Sequence, residues 1–534
     1  MQKIATLILL FGVTQLFVFS QEDRYNYVQK PTDTSALIAW RTATPGIATI
    51  QWGTDPFTLS NSMVGSNSES KHHFEITGLS PNTQYFYQTS TSTGYISDVD
   101  YFYTAKPSNL SDITFLHYGD CGYNNTVQNQ IAGLMESENA DFAVVSGDVD
   151  QGIGNNYNDV FFGVYENMLK KSCHYTAIGN HDTYLDNADT YLDEFYLPTN
   201  NPAQSERYYS FTWGNAKFIC MDSNIPYGPG TPQYLWLVNE LKCNDHEWLF
   251  AFFHHPPWTN AWDAGYYIPF TNYFLYQGNE DMRTALVPLF EQYDVDFVLN
   301  GHSHCYQRGK MNDVHYVISG GAGSATIDAN TNSNAPNIDT EIYTNQYVKF
   351  KIDGDTASYV CINNVGVVID SVASIKTGWT PTVYPITIVN DQLSAPAGSL
   401  YTWYLNGAPI PNSNNQYYTP LQNGNYTVRF TNFSGCIKTS SEFYLNNLGL
   451  SEIVSSGFKI YPNPSDAIFY LEGDLEQVTS IRVSESTGKT FSIERSANPF
   501  NKLVKIDLTG KPKGVYFIEI NSLNRTETLK VIID

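Results

Sequence analysis

Five short apolar runs in this 534-residue chain each stop on side chains able to bind a metal ion: Gly119-Asp120, Gly147-Asp148, Gly179-Asn180-His181, His254 and Gly301-His302-Ser303-His304. Taken singly each has an ordinary explanation, since an Asp after Gly is a turn former and a lone strand-end His is usually a satisfied polar group. Recurrence at five run ends points instead to an enzyme. Carboxylate, amide oxygen and imidazole together suit iron, zinc or manganese, and two Asp, one Asn and three or four His are donors enough for two cations.

The runs themselves are the elements that must hold these groups. Ile113 to Tyr118, Phe142 to Ser146, Tyr175 to Ile178, Trp248 to Phe253 and Val295 to Leu299 are short, apolar and bounded by turn residues, the pattern of buried strands. Between them, Val127, Ile131, Leu134 and Met135, and later Met282, Leu286, Leu289, Phe290 and Tyr293, recur at helical spacing. Strands alternating with amphipathic helices predict an α/β domain from about 107, in which ligands bind beyond the carboxyl ends of the strands.

Acidic residues outnumber basic ones 53 to 29, for a formal net charge of −24. Nucleic-acid binding is driven by Lys and Arg, so no nucleic acid is expected as a partner. A phosphorylated substrate would have to be held by bound metal, whose local charge outweighs the global field. Lys3, the apolar stretch Ile4 to Phe19, and Val18 and Ser20 ahead of Gln21 read as a secretory signal peptide over 1–20. Seven scattered cysteines without CxxC spacing indicate neither a zinc ribbon nor a dense disulfide framework. Cys121 and Cys305 adjoin the candidate ligands and read as small buried neighbours. His117, His174, His246 and His315 lack a comparable context and read as structural, as does Arg308, an ion-pairing residue.

Around the α/β segment the signals are strand-only. Residues 21–106 carry short strands at Ala36 to Trp40, Ala48 to Trp52, His73 to Thr77, Tyr85 to Tyr87 and Asp100 to Tyr103, which predict a small β-sandwich. The central domain should close near 375, after Gly320-Gly321-Ala322-Gly323 and strands near Gln346 to Ile352 and Ala357 to Ile362. A spacer over 376–450 shows Asn406-Gly407, a two-residue hairpin signal, and Trp403 in an immunoglobulin-like setting, with Cys436 its only cysteine. A last small sandwich fills 451–534.

The ordered motifs GDCG, GDVDQ, GNHD, FFHHPP and GHSH resemble the purple acid phosphatase-like branch of the metallophosphoesterases. The likeness extends to the amino-terminal Tyr-Val-Gln-Lys-Pro and Gly-Leu-Ser-Pro-Asn-Thr-Gln-Tyr-Phe-Tyr segments, similar to that family's fibronectin type III-like domain. It also takes in Tyr208 to Asn215 and Gln233 to Leu237. The resemblance implies an N-terminal β-sandwich and a central α/β/β/α sandwich, followed here by immunoglobulin-like and sorting-domain β-sandwiches. The tail, with Phe458-Lys459-Ile460-Tyr461-Pro462-Asn463-Pro464, Thr487-Gly488-Lys489 and Lys513-Gly514-Val515-Tyr516-Phe517, resembles the C-terminal sorting domain of type IX secretion cargo of Gram-negative bacteria. That implies the type IX machinery as a partner, and release from the cell or attachment to its surface.

Carried onto these positions, the resemblance makes Asp148 the bridge between two metals, Asp120 and His304 ligands of the first, and Asn180, His254 and His302 ligands of the second. It makes His181 a phosphate-binding group and general acid, with Asn180 also facing substrate; His255, next to His254, either approaches substrate or covers the site, and Asp182 either structures the loop or orients His181. One departure stands out: purple acid phosphatases carry Tyr three residues after the bridging Asp, where this chain has Gln151, and Gly122 follows Cys121 where other metallophosphoesterases have a His. Gln151, a water or Tyr157 are the candidates to fill that gap. The function implied is a secreted phosphoesterase that hydrolyses phosphate monoesters by attack of metal-activated hydroxide. A phosphodiesterase or nucleotidase on the same site, with the aromatic insertion Trp258 to Tyr276 as one wall, and a non-catalytic surface protein are the alternatives.

Overall fold

The computed structural model describes residues 23–534 apart from 153–155, 262–278, 325, 330–334, 336, 381, 447–457, 474, 476–477, 486–488, 493–502 and 523–525. The leader expected over 1–20, most of the Trp258 to Tyr276 insertion and the Thr487-Gly488 pair lie outside the described residues. The chain packs as two units, one running to Val383 and including 432–437, the other made of Tyr384–Thr431 and Lys438–Asp534.

The centre of the first unit is a pair of facing sheets. One has six strands, in the order Val368–Ile375, Thr356–Asn363, Gln346–Asp353, Ile113–Tyr118, Phe142–Val145 and His174–Thr176. The other has seven, in the order Thr340–Ile342, Tyr306–Met311, Val314–Ser319, Phe297–Asn300, Trp248–Phe252, Ala216–Cys220 and Tyr209–Trp213. Within each sheet the strands that end in candidate ligands run parallel to one another, so those ligands emerge at one edge. Every residue of Phe142–Val145, Trp248–Phe252 and Phe297–Asn300 is buried, which is why these runs are continuously apolar rather than alternating.

Aromatic rings lock the two sheets together. Phe115 stacks on Phe142 and Phe350 within its sheet, at centroid separations of 5.2 and 4.7 Å, and meets Phe218 and Phe250 of the other sheet edge-on at 5.1 and 5.4 Å. Edge-to-face pairs of this kind add roughly 0.5–1.5 kcal/mol each beyond the area they bury. Helices cover the outer faces. Thr126–Glu136 starts where the Asn125 side chain accepts the Gln128 N–H, and buries Ile131 and Met135. Pro232–Lys242 starts at Thr231 with Pro in its first turn and buries Trp236, Leu237 and Leu241. The pattern Met282 to Tyr293, expected as one helix, is two short ones, Glu280–Ala285 and Val287–Gln292, because Pro288 forces a break at Leu286.

The amino-terminal segment is one five-stranded antiparallel sheet, sandwich-like because its central strand is long and bulged. Ala36 to Trp40 and Ala48 to Trp52, expected as separate strands, belong to a single strand Ser35–Gly53, irregular between Arg41 and Gly46 and between Ile47 and Thr49. Bulges bend a strand without ending it. Tyr27, Leu37 and Ala39 join the same core as the facing sheets, and Arg24 pairs with Glu194 at 2.5 Å.

In the second unit, the spacer strand Ser399–Leu405 turns through Asn406 and Gly407, both at positive φ (49° and 80°), onto Ala408–Pro409, the mirror-type hairpin that Asn-Gly favours. Trp403, Tyr426, Val428 and Phe430 form its core. The tail builds a three-stranded and a four-stranded sheet over Phe469, Leu471, Val483, Ile506, Ile518 and Val531.

Candidate metal centre

At the carboxyl edge of the paired sheets three atoms converge. Asn180 Oδ1 lies 2.9 Å from His254 Nε2 and 2.9 Å from His302 Nδ1, and the two ring nitrogens are 3.1 Å apart. His254 Nδ1 sits 2.8 Å from the Ser146 carbonyl oxygen, which can only accept, so the ring proton is there and Nε2 is a bare lone pair. Burial, and then the adjacent His302 and His255 rings, hold the His254 imidazole well below its ordinary range, hence neutral. A bare nitrogen against an amide oxygen repels unless a cation lies between them. Metal–imidazole bonds of about 2.0–2.1 Å at right angles put neighbouring donor atoms about 3 Å apart, which is the spacing found.

Beside this trio are Asp148 and Asp120, both fully buried. Asp148 Oδ2 is 3.4 Å from His254 Nε2, and its Oδ1 accepts the His181 N–H at 2.9 Å. Asp120 Oδ2 accepts the His302 N–H at 2.8 Å, while Asp120 Oδ1 is buried without a hydrogen-bond partner and faces His304 Nε2 at 3.5 Å. The His304 ring donates from Nδ1 to the Thr326 carbonyl at 3.2 Å, and although burial works against it, the Asp120 carboxylate facing Nε2 raises the His304 pKa. Burial, then the charges of Asp120 and Asp182, push the Asp148 carboxyl well above its usual range. An orphaned carboxylate oxygen, crowded buried acids, the inward lone pair of His254 and the imidazoles of His302 and His304 beside them fit metal cations. The ligand atoms of Asp120, Asp148 and His254 lie within 4.8 Å of one another, as do those of His254, His255 and His302; together they form a candidate binuclear centre.

The backbone is shaped to allow this. Asp120, Asp148 and His302 all have positive φ (57°, 53° and 66°), a region non-glycine residues rarely adopt and one that gathers at functional sites. Glycine is required at 179, where a Cβ would fall 2.0 Å from Asp148 Oδ1, and at 147, where φ is 90° and a Cβ would meet His254 Nδ1 at 2.6 Å.

A calcineurin-like phosphoesterase model matches residues 113–306, a purple acid phosphatase N-terminal domain model matches 23–104, and a secretion system C-terminal sorting domain model matches 459–534. This is a purple-acid-phosphatase-like metallophosphoesterase domain. Purple acid phosphatase 15 of Arabidopsis thaliana is 28% identical over 272 residues, covering 44% of this chain and 49% of the relative. Phosphoenolpyruvate phosphatase of Allium cepa is 25% identical over 318 residues, covering 54% and 63%. The chain thus spans about half to two thirds of the length of these relatives. The fold is shared with purple acid phosphatase PPD1 of yellow lupin, at TM-score 0.56 and 18% identity over 66% of this chain and 74% of that one. PhoD matches at TM-score 0.50 and 13% identity, over 66% and 92%. The type IX sorting domain marks the protein as exported cargo, released or held at the cell surface.

Around this metallophosphoesterase centre, His181 is partly exposed, its Nε2 4.0 Å from Asp148 Oδ2, and burial lowers its pKa. His255 hydrogen-bonds Ser223 Oγ through Nδ1 at 2.8 Å and lies 4.4 Å from the His302 ring. Gln151 is buried and its amide donates to the Asp148 carbonyl at 3.4 Å. The Tyr157 hydroxyl donates to Asp182 at 3.3 Å, and its phenol is pushed far above the ordinary range by burial and then by Asp182, so it is engaged away from the metal donors. Arg308 pairs with Asp370 at 2.6 Å, and His117 and His174 are buried with Ser146 and Tyr118, as their structural reading requires. Two features escaped sequence reasoning. Cys243 and Cys436, 193 residues apart, form a disulfide, and nothing local marks such a pair. The second is the reach of Asp182, whose carboxylate accepts the N–H groups of Asp148, Val149, Asp150 and Gly179 at 2.9, 3.4, 3.0 and 2.9 Å.

Proposed function

We propose that this centre hydrolyses phosphate monoesters outside the cell, as an acid-phosphatase-like phosphoesterase. The observation that carries the reading is the convergence of Asn180 Oδ1, His254 Nε2 and His302 Nδ1 within 2.9–3.1 Å, with no proton to share between oxygen and His254 nitrogen. Asn180, His254 and His302 would hold one cation, Asp120 and His304 the other, and Asp148 both, with Gln151 or water completing the first. Iron, zinc and manganese all suit this donor set. When bound, the metal pair supplies a nucleophile near neutral pH and offsets charge developing on the phosphoryl oxygens.

The remaining work falls to the chain's own groups. His181, exposed beside Asp148, binds a phosphoryl oxygen and, protonated, gives its proton to the leaving alcohol oxygen as the P–O bond breaks. Its main-chain tie to Asp148 Oδ1 keeps that ring in register with the donors. His255, oriented by Ser223, faces the substrate side of the same cluster. The relatives' names, purple acid phosphatase and phosphoenolpyruvate phosphatase, support a monoester over a diester. The test is turnover of a chromogenic monoester and the matching diester by metal-loaded wild type and Asp148→Asn. Monoester turnover lost in Asp148→Asn is expected; faster diester turnover would replace the monoester reading, and equal turnover by both proteins would overturn it.

A further inference from the structure

The glycine-rich segment after strand Val314–Ser319 has no role in the site described so far, yet it crosses directly over the first half of the centre. A Cβ at Gly320 would meet the Ser303 carbonyl oxygen at 2.2 Å and Asp120 Oδ2 at 2.8 Å. The Ala322 N–H donates to the Gly119 carbonyl at 3.3 Å, and side-chain amides of Asn345 and Asn125 hold the carbonyls of Gly321 and Gly323 at 3.0 and 2.7 Å. Pinned in this way, the segment brings Asp328, 8% exposed, against His304. Two hydrogen bonds join Asp328 to His304, and a third ties the His304 ring to Thr326. The His304 N–H donates to Asp328 Oδ2 at 2.7 Å, the Asp328 N–H returns to the His304 carbonyl at 3.2 Å, and His304 Nδ1 donates to the Thr326 carbonyl at 3.2 Å.

We propose that Asp328 is the positioning residue of the first-metal half of the centre, fixing the main chain of His304 beside the Thr326 carbonyl that holds its ring, so that Nε2 is aimed at the unpartnered Asp120 Oδ1. The inference rests on the binuclear reading of the site. The first half needs such a device more than the second, because His304 is its one imidazole, whereas the second draws on two, of which His254 is already held through Nδ1 at the Ser146 carbonyl. Groups that orient a metal ligand typically change metal affinity by about 10- to 100-fold when removed.

The test is zinc binding by the full chain, counted per chain and titrated against a competing chelator, for wild type, Asp328→Asn, Asp328→Glu and Asp328→Ala. An Asn at 328 keeps an oxygen for the His304 N–H; a Glu keeps the charge but displaces the acceptor by a methylene. Expected is one zinc unchanged and the other weakened at least about tenfold in Asp328→Ala and Asp328→Glu, with Asp328→Asn close to wild type. If the Ala protein does not fold, the Asn and Glu proteins decide the matter: zinc held as tightly by Glu as by Asn overturns positioning by the hydrogen bond. Two zinc sites of unchanged affinity in all three variants overturn the inference alone. Wild type binding fewer than two zinc ions overturns the function proposed above.

Discussion

Asp182 accepts the main-chain N–H of Asp148 at 2.9 Å, so the residue after His181 holds the backbone of the central carboxylate in its left-handed conformation. The same carboxylate takes the N–H groups of Val149, Asp150 and Gly179. One buried side chain therefore ties the 147–150 turn to the 179–182 turn, fastening two strand ends that each deliver a metal donor. A carboxylate serving several backbone donors is doing what a network of turn hydrogen bonds does elsewhere, and replacing it strands those donors.

Asp182→Ala leaves up to four buried N–H groups without an acceptor, each costing roughly 1–3 kcal/mol if water does not replace it. A loss of at least about 3 kcal/mol in urea unfolding is expected, together with reduced metal content, and Asp182→Asn should fall between. Wild-type stability in the Ala protein would show that the clamp is dispensable.

His181→Ala separates binding of metal from transfer of the proton, because His181 touches the metal donors only through its main chain and a 4.0 Å approach to Asp148. Metal content should stay at the wild-type level while kcat for an alkyl phosphate falls about 10²- to 10⁴-fold. A smaller deficit is expected with a nitrophenyl leaving group, which needs less protonation. Equal deficits for both substrates would remove His181 from the proton-donor role.

Burial pushes the Glu206 carboxyl up to about 7, and one of its oxygens is buried without a partner. In the unfolded chain the group releases its proton near 4.5. Between these values the folded state binds more protons, so this contribution to stability is full below about 4.5 and is lost as pH rises through 7. Discounted for partial solvent access, the loss is about 1–2 kcal/mol. Glu206→Gln should therefore raise the melting temperature by a few degrees at pH 8 and leave it unchanged at pH 4. A shift of equal size at both pH values would point to packing rather than charge.

Much of the site could be read from residues alone because its chemistry is local. A metal donor at the end of a fully buried parallel strand leaves an apolar run, a glycine forced by close approach, and a ligand, and Gly147, Gly179 and their neighbours carry that signature. What depends on distant partners left no trace. The bulged strand Ser35–Gly53 reads as two strands, because Pro45-Gly46 looks like a terminator when only the pairing with 61–77 shows that it is not. Cys243 and Cys436 find each other only in three dimensions. Asp182 reads as a loop residue, and its four backbone partners come from two separate turns. Asp328 lies beyond the last recognisable motif and reaches His304 only once the glycine segment folds back across Asp120.

The most direct measurement is metal content per chain, by elemental analysis of folded protein supplied with iron, zinc and manganese, for wild type and Asp148→Asn. Two tightly held ions per wild-type chain and a marked loss in the variant are expected. A folded wild-type protein that keeps neither ion, or an Asp148→Asn protein that keeps both as tightly, would contradict the binuclear centre.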